Sequence, residues 1–131
     1  MPGQVSFVAV AIGGAVGAVL RLALGRFVVG VAGSALPWAT LAVNVSGCLA
    51  LGVTLGAIQS SAIAPGVQRF IVVGVLGSFT TFSTFGGELF DMLRISQGGR
   101  AILYASGSVV LGLAALAIGL WTAKALLPGH A

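Results

Sequence analysis

Apolar and polar positions in this chain sort into long blocks rather than into short alternating runs. Residues 5–24 carry one charge, Arg21, while residues 38–58, 70–87 and 101–123 carry none. At ~1.5 Å of rise per residue, about 20 helical residues cross a hydrocarbon layer ~30 Å thick. The pattern predicts an all-α integral membrane protein with four transmembrane helices in one membrane domain. The expected spans are residues 5–26, 38–59, 69–95 and 101–124 of the 131. Strands of a membrane barrel would need segments of roughly ten residues with alternating polarity, which are missing here. The joints, residues 30–37 (GVAGSALP), 60–66 (SSAIAPG) and 97–100 (QGGR), are short and hold turn-forming Gly, Ser or Pro. Short joints make neighbouring helices antiparallel.

Composition strengthens this reading. Only 6% of the residues are charged and 58% are hydrophobic, against roughly 25% charged in a soluble domain. Mean hydropathy is +1.15. The net charge of +4 comes from scattered residues, and no Lys/Arg cluster exists to follow a phosphate backbone, so nucleic acid is excluded as a partner. The cations flank spans. Trp38 opens the second span and Trp121 lies near the end of the fourth, as in an aromatic belt at a membrane surface. The N-terminal Met1-Pro2-Gly3-Gln4 lacks the basic start of a signal peptide, so the first apolar run is expected to be retained.

An even number of spans puts both termini on one side, with Arg69 and Lys124; the other side holds Arg26, Arg94 and Arg100, joined by Arg21 if it reaches that interface. So small a difference gives little orientation preference under the positive-inside rule. Such a chain can insert both ways, and two opposed copies can pair about a two-fold axis. Four thin helices enclose little room, so a dimer of eight is the smallest conducting unit we expect, and two-fold dimers are the commonest oligomer. Gly13/Gly17 and Gly52/Gly56 are spaced for close helix contact.

Polar groups inside spans are costly and therefore mark function. The third span contains Gly77-Ser78-Phe79-Thr80-Thr81-Phe82-Ser83-Thr84-Phe85-Gly86-Gly87, with four hydroxyl residues between Thr80 and Thr84. Either the helix breaks here and its freed backbone groups face protein or a polar cavity, or it continues and the hydroxyls bond back to their own carbonyls. Phe82 and Phe85, three apart, share a helix face. They either pack in the core or present positive ring edges to an anion. Asn44, in Thr40-Leu41-Ala42-Val43-Asn44-Val45-Ser46-Gly47, offers an N–H either to an anion or to another helix. Tyr104 and Ser108 are spaced i, i+4, so their hydroxyls share a face of the fourth span. Neutral donors suit an anion that must be dehydrated and then released. Arg21 either snorkels or draws anions to a pore mouth. Glu88 continues the Thr81/Thr84 face. Cys48 is a lone thiol, and His130 stands next to the C-terminus; neither supports a metal site. No catalytic constellation occurs, so an enzyme is not expected.

The segments Gly14-Ala15-Val16-Gly17-Ala18-Val19-Leu20-Arg21, Thr40 to Gly47 and Thr80-Thr81-Phe82-Ser83-Thr84-Phe85 resemble, in order and spacing, the Fluc (CrcB) family of fluoride channels. The resemblance covers essentially the whole chain, and the TTFSTF run is its most specific part. It implies a passive, fluoride-selective channel that exports fluoride from the cytoplasm and lowers its toxicity. It also implies an antiparallel dual-topology homodimer with two pathways, surrounded by lipid in the cell (inner or plasma) membrane of a bacterium. The third helix is expected to be broken in mid-membrane. Among the residues matched, Asn44, Phe82 and Phe85 line the fluoride pathway with the hydroxyls of Thr81, Ser83 and Thr84, and Tyr104 and Ser108 begin a hydroxyl track. Arg21 belongs to the pore vestibule. The resemblance also implies that the carbonyls of Gly77 and Thr80 hold a structural sodium ion at the dimer axis. Ser78 stands where the family usually has a second glycine, Gly86 replaces a serine, Ala39 replaces a glycine, and Gly112 stands where many members extend the track. The alternatives are a small dual-topology proton-coupled drug or cation exporter, which needs a membrane carboxylate such as Glu88, and a non-conducting scaffold.

Overall fold

A computed structural model describes residues 7–127; residues 5 and 6 of the first expected span and His130 lie outside the described residues. The described chain is all-helical. Four helical segments are long and apolar enough to cross a membrane: Phe7–Ala32, Trp38–Gln59, Pro65–Arg94 and Gly98–Leu126. The protein is thus a multi-pass membrane protein.

Helix α1 (Phe7–Ala32) is apolar apart from Arg21 and Arg26 and ends where Gly33 takes φ +76°, its N–H bonding Val29 O at 2.9 Å. The helix therefore continues through Gly30, which the charge pattern placed in the joint. Pro37 stands immediately before α2 (Trp38–Gln59). The third span is assembled from pieces. It opens with α3 (Pro65–Arg69), widens into a π-helical stretch over Phe70–Leu76, and regains α geometry in α4 (Gly77–Phe79). Thr80 (ψ 158°) and Thr81 (φ −146°, ψ 112°) are extended, and α5 (Phe82–Arg94) follows. Helix α6 (Gly98–Leu126) begins inside the expected third joint, because Ser96 (φ 61°) and Gln97 (φ −96°, ψ 45°) complete the turn and Gly98 and Gly99 are already helical.

Two tight seams hold these elements together, and both depend on missing side chains. α2 packs most extensively on α6. A Cβ on Gly52 would collide with the Leu116 carbonyl, one on Gly119 with the Leu49 carbonyl, and one on Gly56 with Ala123. α1 packs on the π-helical stretch, where a Cβ on Gly13 would lie 2.9 Å from Phe70 O and one on Gly17 would overlap Val75 O. Both glycine pairs read from the sequence are thus helix contacts. The core is small: Val43 is 2% exposed, while Phe82 is 84% and Trp121 is 73%. So much exposed apolar surface needs lipid or another protein chain against it.

Candidate functional site

The site forms where the third span leaves helical geometry. An α-helix would send the Thr81 N–H to Gly77 O. Instead it donates to Asn44 Oδ1 at 2.8 Å, and Asn44 Nδ2 donates back to Thr81 O at 3.1 Å. The carboxamide on α2 satisfies both backbone groups of one extended residue, as a neighbouring strand would. Burial makes that pairing necessary, since Thr81 is 8% exposed. The Thr81 hydroxyl then caps α5, accepting the Thr84 N–H at 3.2 Å and lying 2.9 Å from Thr84 Oγ1. Thr80 Oγ1 donates to Leu76 O at 2.9 Å, and the Thr80 N–H shares that carbonyl at 3.1 Å.

Two carbonyls lose their helical donors through this arrangement. The Thr81 N–H has turned to Asn44, and the Thr84 N–H to the Thr81 hydroxyl. Among the described residues, no backbone N–H replaces them on Gly77 O or Thr80 O. Gly77 and Thr80 line one groove together with Asn44, Gly47, Cys48 and Phe82. Freed carbonyls are hard oxygen donors of the kind that suits a cation such as sodium, and the two residues that carry them line the same groove. Groups of three or more His, Cys, Asp or Glu side chains able to hold a metal are absent among the described residues.

On α5 the Phe82 and Phe85 rings touch, with centroids 5.9 Å apart and planes tilted by 44°. Phe85 in turn meets Tyr104 of α6 at 5.2 Å and 57°. In such tilted pairs the partially positive edge of one ring is turned toward the face of the other. The Tyr104 hydroxyl donates to Glu88 Oε2 at 2.7 Å, and the buried Thr40 hydroxyl donates to Glu88 Oε1 at 2.7 Å. Both hydroxyl protons are engaged by the one carboxylate. Ser108 lines the same groove as Tyr104, and its Oγ is buried with no hydrogen-bond partner.

The residues singled out from the sequence do not all meet. Asn44, Thr81, Thr84 and Thr80 are joined through hydrogen bonds or a shared groove, and Phe82, Phe85 and Tyr104 form a ring chain. Arg21 lines a groove between α1 and α2 that reaches Thr81 and Thr84. Ser83 is exposed and makes none of these contacts. Ser78 sits beside α1, with its Oγ 3.2 Å from where a Cβ of Gly14 would be. Gly112 is buried against Cys48 of α2 rather than open to the groove of Ser108.

The link between Thr40, Glu88 and Tyr104 is only partly legible in the sequence. Its signal was present, because Thr81, Thr84 and Glu88 recur at helical spacing and Glu88 is an acidic residue inside an apolar span. The Asn44–Thr81 pairing had no comparable signal, because it depends on a backbone conformation.

Comparison with known proteins adds a family. A family model described as CrcB-like protein, Camphor Resistance (CrcB), matches residues 8–120. The chain is 44% identical over 107 residues to a Thermus thermophilus protein named fluoride-specific ion channel FluC, covering 82% of this chain and 84% of that one. A Hyphomonas neptunium protein of the same name is 44% identical over 120 residues, covering 90% and 94%. One from Novosphingobium aromaticivorans is 45% identical over 113 residues, covering 85% and 90%.

Proposed function

The chain belongs to the CrcB family, and from that membership we propose that it is a fluoride-specific ion channel whose ion passes the Thr80–Thr81 segment of the third span. One observation carries the placement. A stretch of extended backbone, held by Asn44, lies beside a chain of tilted aromatic rings and a set of neutral hydroxyls. Fluoride is small and strongly hydrated, so a path for it must replace water with donors that do not trap it. Asn44 has two amide hydrogens and uses one on Thr81 O, which leaves the other for an ion. The Ser108 hydroxyl is without a partner, and the Phe82 and Phe85 edges supply partial positive charge between these donors. Thr81, Ser83 and Thr84 add hydroxyls around the segment, and Arg21 stands in the vestibule.

The wider reading is an antiparallel, dual-topology homodimer with two pathways in the cell (inner or plasma) membrane of a bacterium, its third helix broken in mid-membrane. The even balance of cations across the spans and the large exposed apolar surface, Phe82 included, support it. Passive flow through it removes fluoride from the cytoplasm and lowers its toxicity. The Gly77 and Thr80 carbonyls would hold a structural sodium ion at the dimer axis. One chain offers two such oxygens, and two opposed chains offer four, which approaches the coordination a hard cation needs. A bound sodium would supply a fixed positive charge that ties the two third spans together.

The exporter alternative is not favoured. It requires a carboxylate free to exchange a proton and a substrate, whereas both Glu88 oxygens are engaged by Thr40 and Tyr104. The deciding experiment is passive efflux from liposomes containing the purified protein, followed with a fluoride electrode and repeated with chloride. Fast fluoride release with little chloride movement is expected; folded protein that releases no fluoride would overturn the channel.

A further inference from the structure

Gly47 follows Asn44 on α2 by three positions, about 4.5 Å of helical rise. It is buried, and a Cβ built on it would collide with the Thr80 Cγ2 methyl. The same Cβ would stand 3.3 and 3.5 Å from two carbons of the Phe79 ring. Asn44 and Gly47 therefore meet consecutive residues of the third span. Asn44 holds Thr81 by two hydrogen bonds, and Gly47 receives Thr80 by having no side chain. The seam glycines Gly13, Gly17, Gly52 and Gly56 set helix against helix, whereas Gly47 sets a helix against the extended segment.

Thr80 cannot turn its methyl aside without loss. Its Oγ1 donates to Leu76 O at 2.9 Å, and that bond fixes the rotation about Cα–Cβ. Of the other two staggered positions, one presses the hydroxyl against Gly47. The other puts the methyl where the hydroxyl now stands and gives up the bond to Leu76. The position of Thr80 in turn governs its carbonyl. The peptide between Thr80 and Thr81 is trans and planar, so the Thr80 C=O points opposite to the Thr81 N–H. Asn44 Oδ1 holds that N–H. The Thr80 carbonyl therefore points away from the carboxamide, and its distance from α2 depends on how closely Thr80 approaches Gly47.

We propose that Gly47 is a positioning residue: the space left by its missing side chain seats the Thr80 methyl, and this seat holds the freed Thr80 carbonyl in place as a cation ligand beside the ion path. Gly47 acts through Thr80 and touches no ion itself. Its role rests on the sodium and channel readings, while the seat rests on the contact between Gly47 and Thr80. Gly47→Ala must either push the extended segment off α2, straining the Asn44–Thr81 pair, or turn Thr80 and break its bond to Leu76. Either response moves the carbonyl. Thr80→Ser removes the methyl and keeps the hydroxyl for Leu76 O, so it relieves the collision that Gly47→Ala creates. The Phe79 ring edge then needs only a small shift.

The test is a double-mutant cycle on the purified full chain, with two readouts. One is the rise in melting temperature when ~0.1 M sodium replaces ~0.1 M N-methylglucamine. The other is fluoride efflux from liposomes. Gly47→Ala should abolish most of the sodium-dependent rise and slow efflux at least about tenfold. Gly47→Ala/Thr80→Ser should return both readouts to the level of Thr80→Ser alone. Gly52→Ala, whose Cβ meets the Leu116 carbonyl instead, should melt lower in both media, keep the sodium-dependent rise and gain nothing from Thr80→Ser. Gly47→Ala with both readouts unchanged overturns the seat, as does a double variant no better than Gly47→Ala. If Gly47→Ala yields no folded protein, folding of the double variant supports the seat and its failure to fold overturns it. If the wild-type protein shows no sodium-dependent rise, the sodium reading fails and rescue of efflux decides on the seat. If the wild-type protein passes no fluoride, the channel reading fails and rescue of the sodium-dependent rise decides.

Discussion

Asn44 and Thr81 are paired through two hydrogen bonds, 2.8 and 3.1 Å long, between a carboxamide on α2 and both backbone groups of an extended residue in the third span. The pair explains how the backbone can leave helical geometry inside a membrane protein, where an unpaired N–H or C=O has no water to turn to. It also fixes which way α5 sets out, because the same Thr81 caps that helix with its hydroxyl.

Replacing Asn44 with Ala leaves a buried N–H and a buried C=O without partners. Each such loss costs about 1–3 kcal/mol. We expect Asn44→Ala to lower thermal stability in detergent by several degrees and fluoride efflux by about tenfold or more. Asn44→Asp, which keeps an acceptor for the Thr81 N–H but adds a negative charge beside the ion path, should recover stability better than flux. Paired melting curves and efflux traces check this, and wild-type flux in Asn44→Ala would remove Asn44 from the pathway.

The aromatic chain makes a separate prediction. Phe82, Phe85 and Tyr104 meet at 5.9 and 5.2 Å, with tilted planes. Isoleucine retains apolar bulk but has no positive ring edge. Phe82→Ile and Phe85→Ile should each cut fluoride efflux about a hundredfold, equivalent to ~2.7 kcal/mol of barrier. Phe82 is so exposed in the single chain that Phe82→Ile should barely change the folding of the protomer. Near-normal flux in both variants, with unchanged elution on size exclusion, would show that the rings only pack.

How far these features can be read from sequence follows from their physical scale. The four spans depend on blocks of about twenty apolar residues, which no other local signal obscures. The glycine seams were legible because Gly13/Gly17 and Gly52/Gly56 recur at four-residue spacing, and both prove to be contacts that a Cβ would block. The π-helical stretch over Phe70–Leu76 was not legible, because its sequence, FIVVGVL, is that of any apolar helix. In the folded chain this stretch seats on α1, a contact made by residues far apart in sequence. The polar run from Thr80 to Thr84 marked the site, and by spacing alone it left both a broken and a continuous helix open. Asn44 decides for extended backbone only because folding brings it 37 positions across the chain to Thr81. Glu88 was visible as an acid in an apolar span, yet its engagement by Thr40 and Tyr104 depends on three elements meeting.

Glu88 distinguishes a channel from a coupled exporter. Its oxygens accept hydrogen bonds from the Thr40 and Tyr104 hydroxyls at 2.7 Å each. In Glu88→Gln the amide retains one acceptor and gains donors, so one of the two hydroxyls must reorient. In a channel, passive fluoride efflux should persist, altered by no more than about tenfold, and should remain insensitive to an imposed proton gradient. In a proton-coupled exporter, the same change would abolish transport and its proton dependence together. Efflux with and without a pH difference across the liposome membrane separates the two outcomes.

Dual topology is tested best at the joint between α1 and α2. Gly33 and Ser34 are exposed and belong to neither helix, so a cysteine there disturbs no packing seam. The cations that would orient the chain are Arg69 and Lys124 on one side and Arg26, Arg94 and Arg100 on the other, a difference of one charge. The positive-inside rule acts through such differences, so it gives this chain little reason to choose. With Cys48 replaced by Ala, Ser34→Cys in intact cells should be labelled to about half by a membrane-impermeant thiol reagent, the remainder only after lysis. Adding three lysines to the joint should drive every copy to one orientation. If opposed copies form the working dimer, that variant should insert normally, lose its fluoride efflux, and regain it when co-expressed with a partner biased the other way through lysines near Arg69. Labelling from one side alone in the unbiased chain, or full efflux from the biased variant by itself, would contradict the antiparallel assembly.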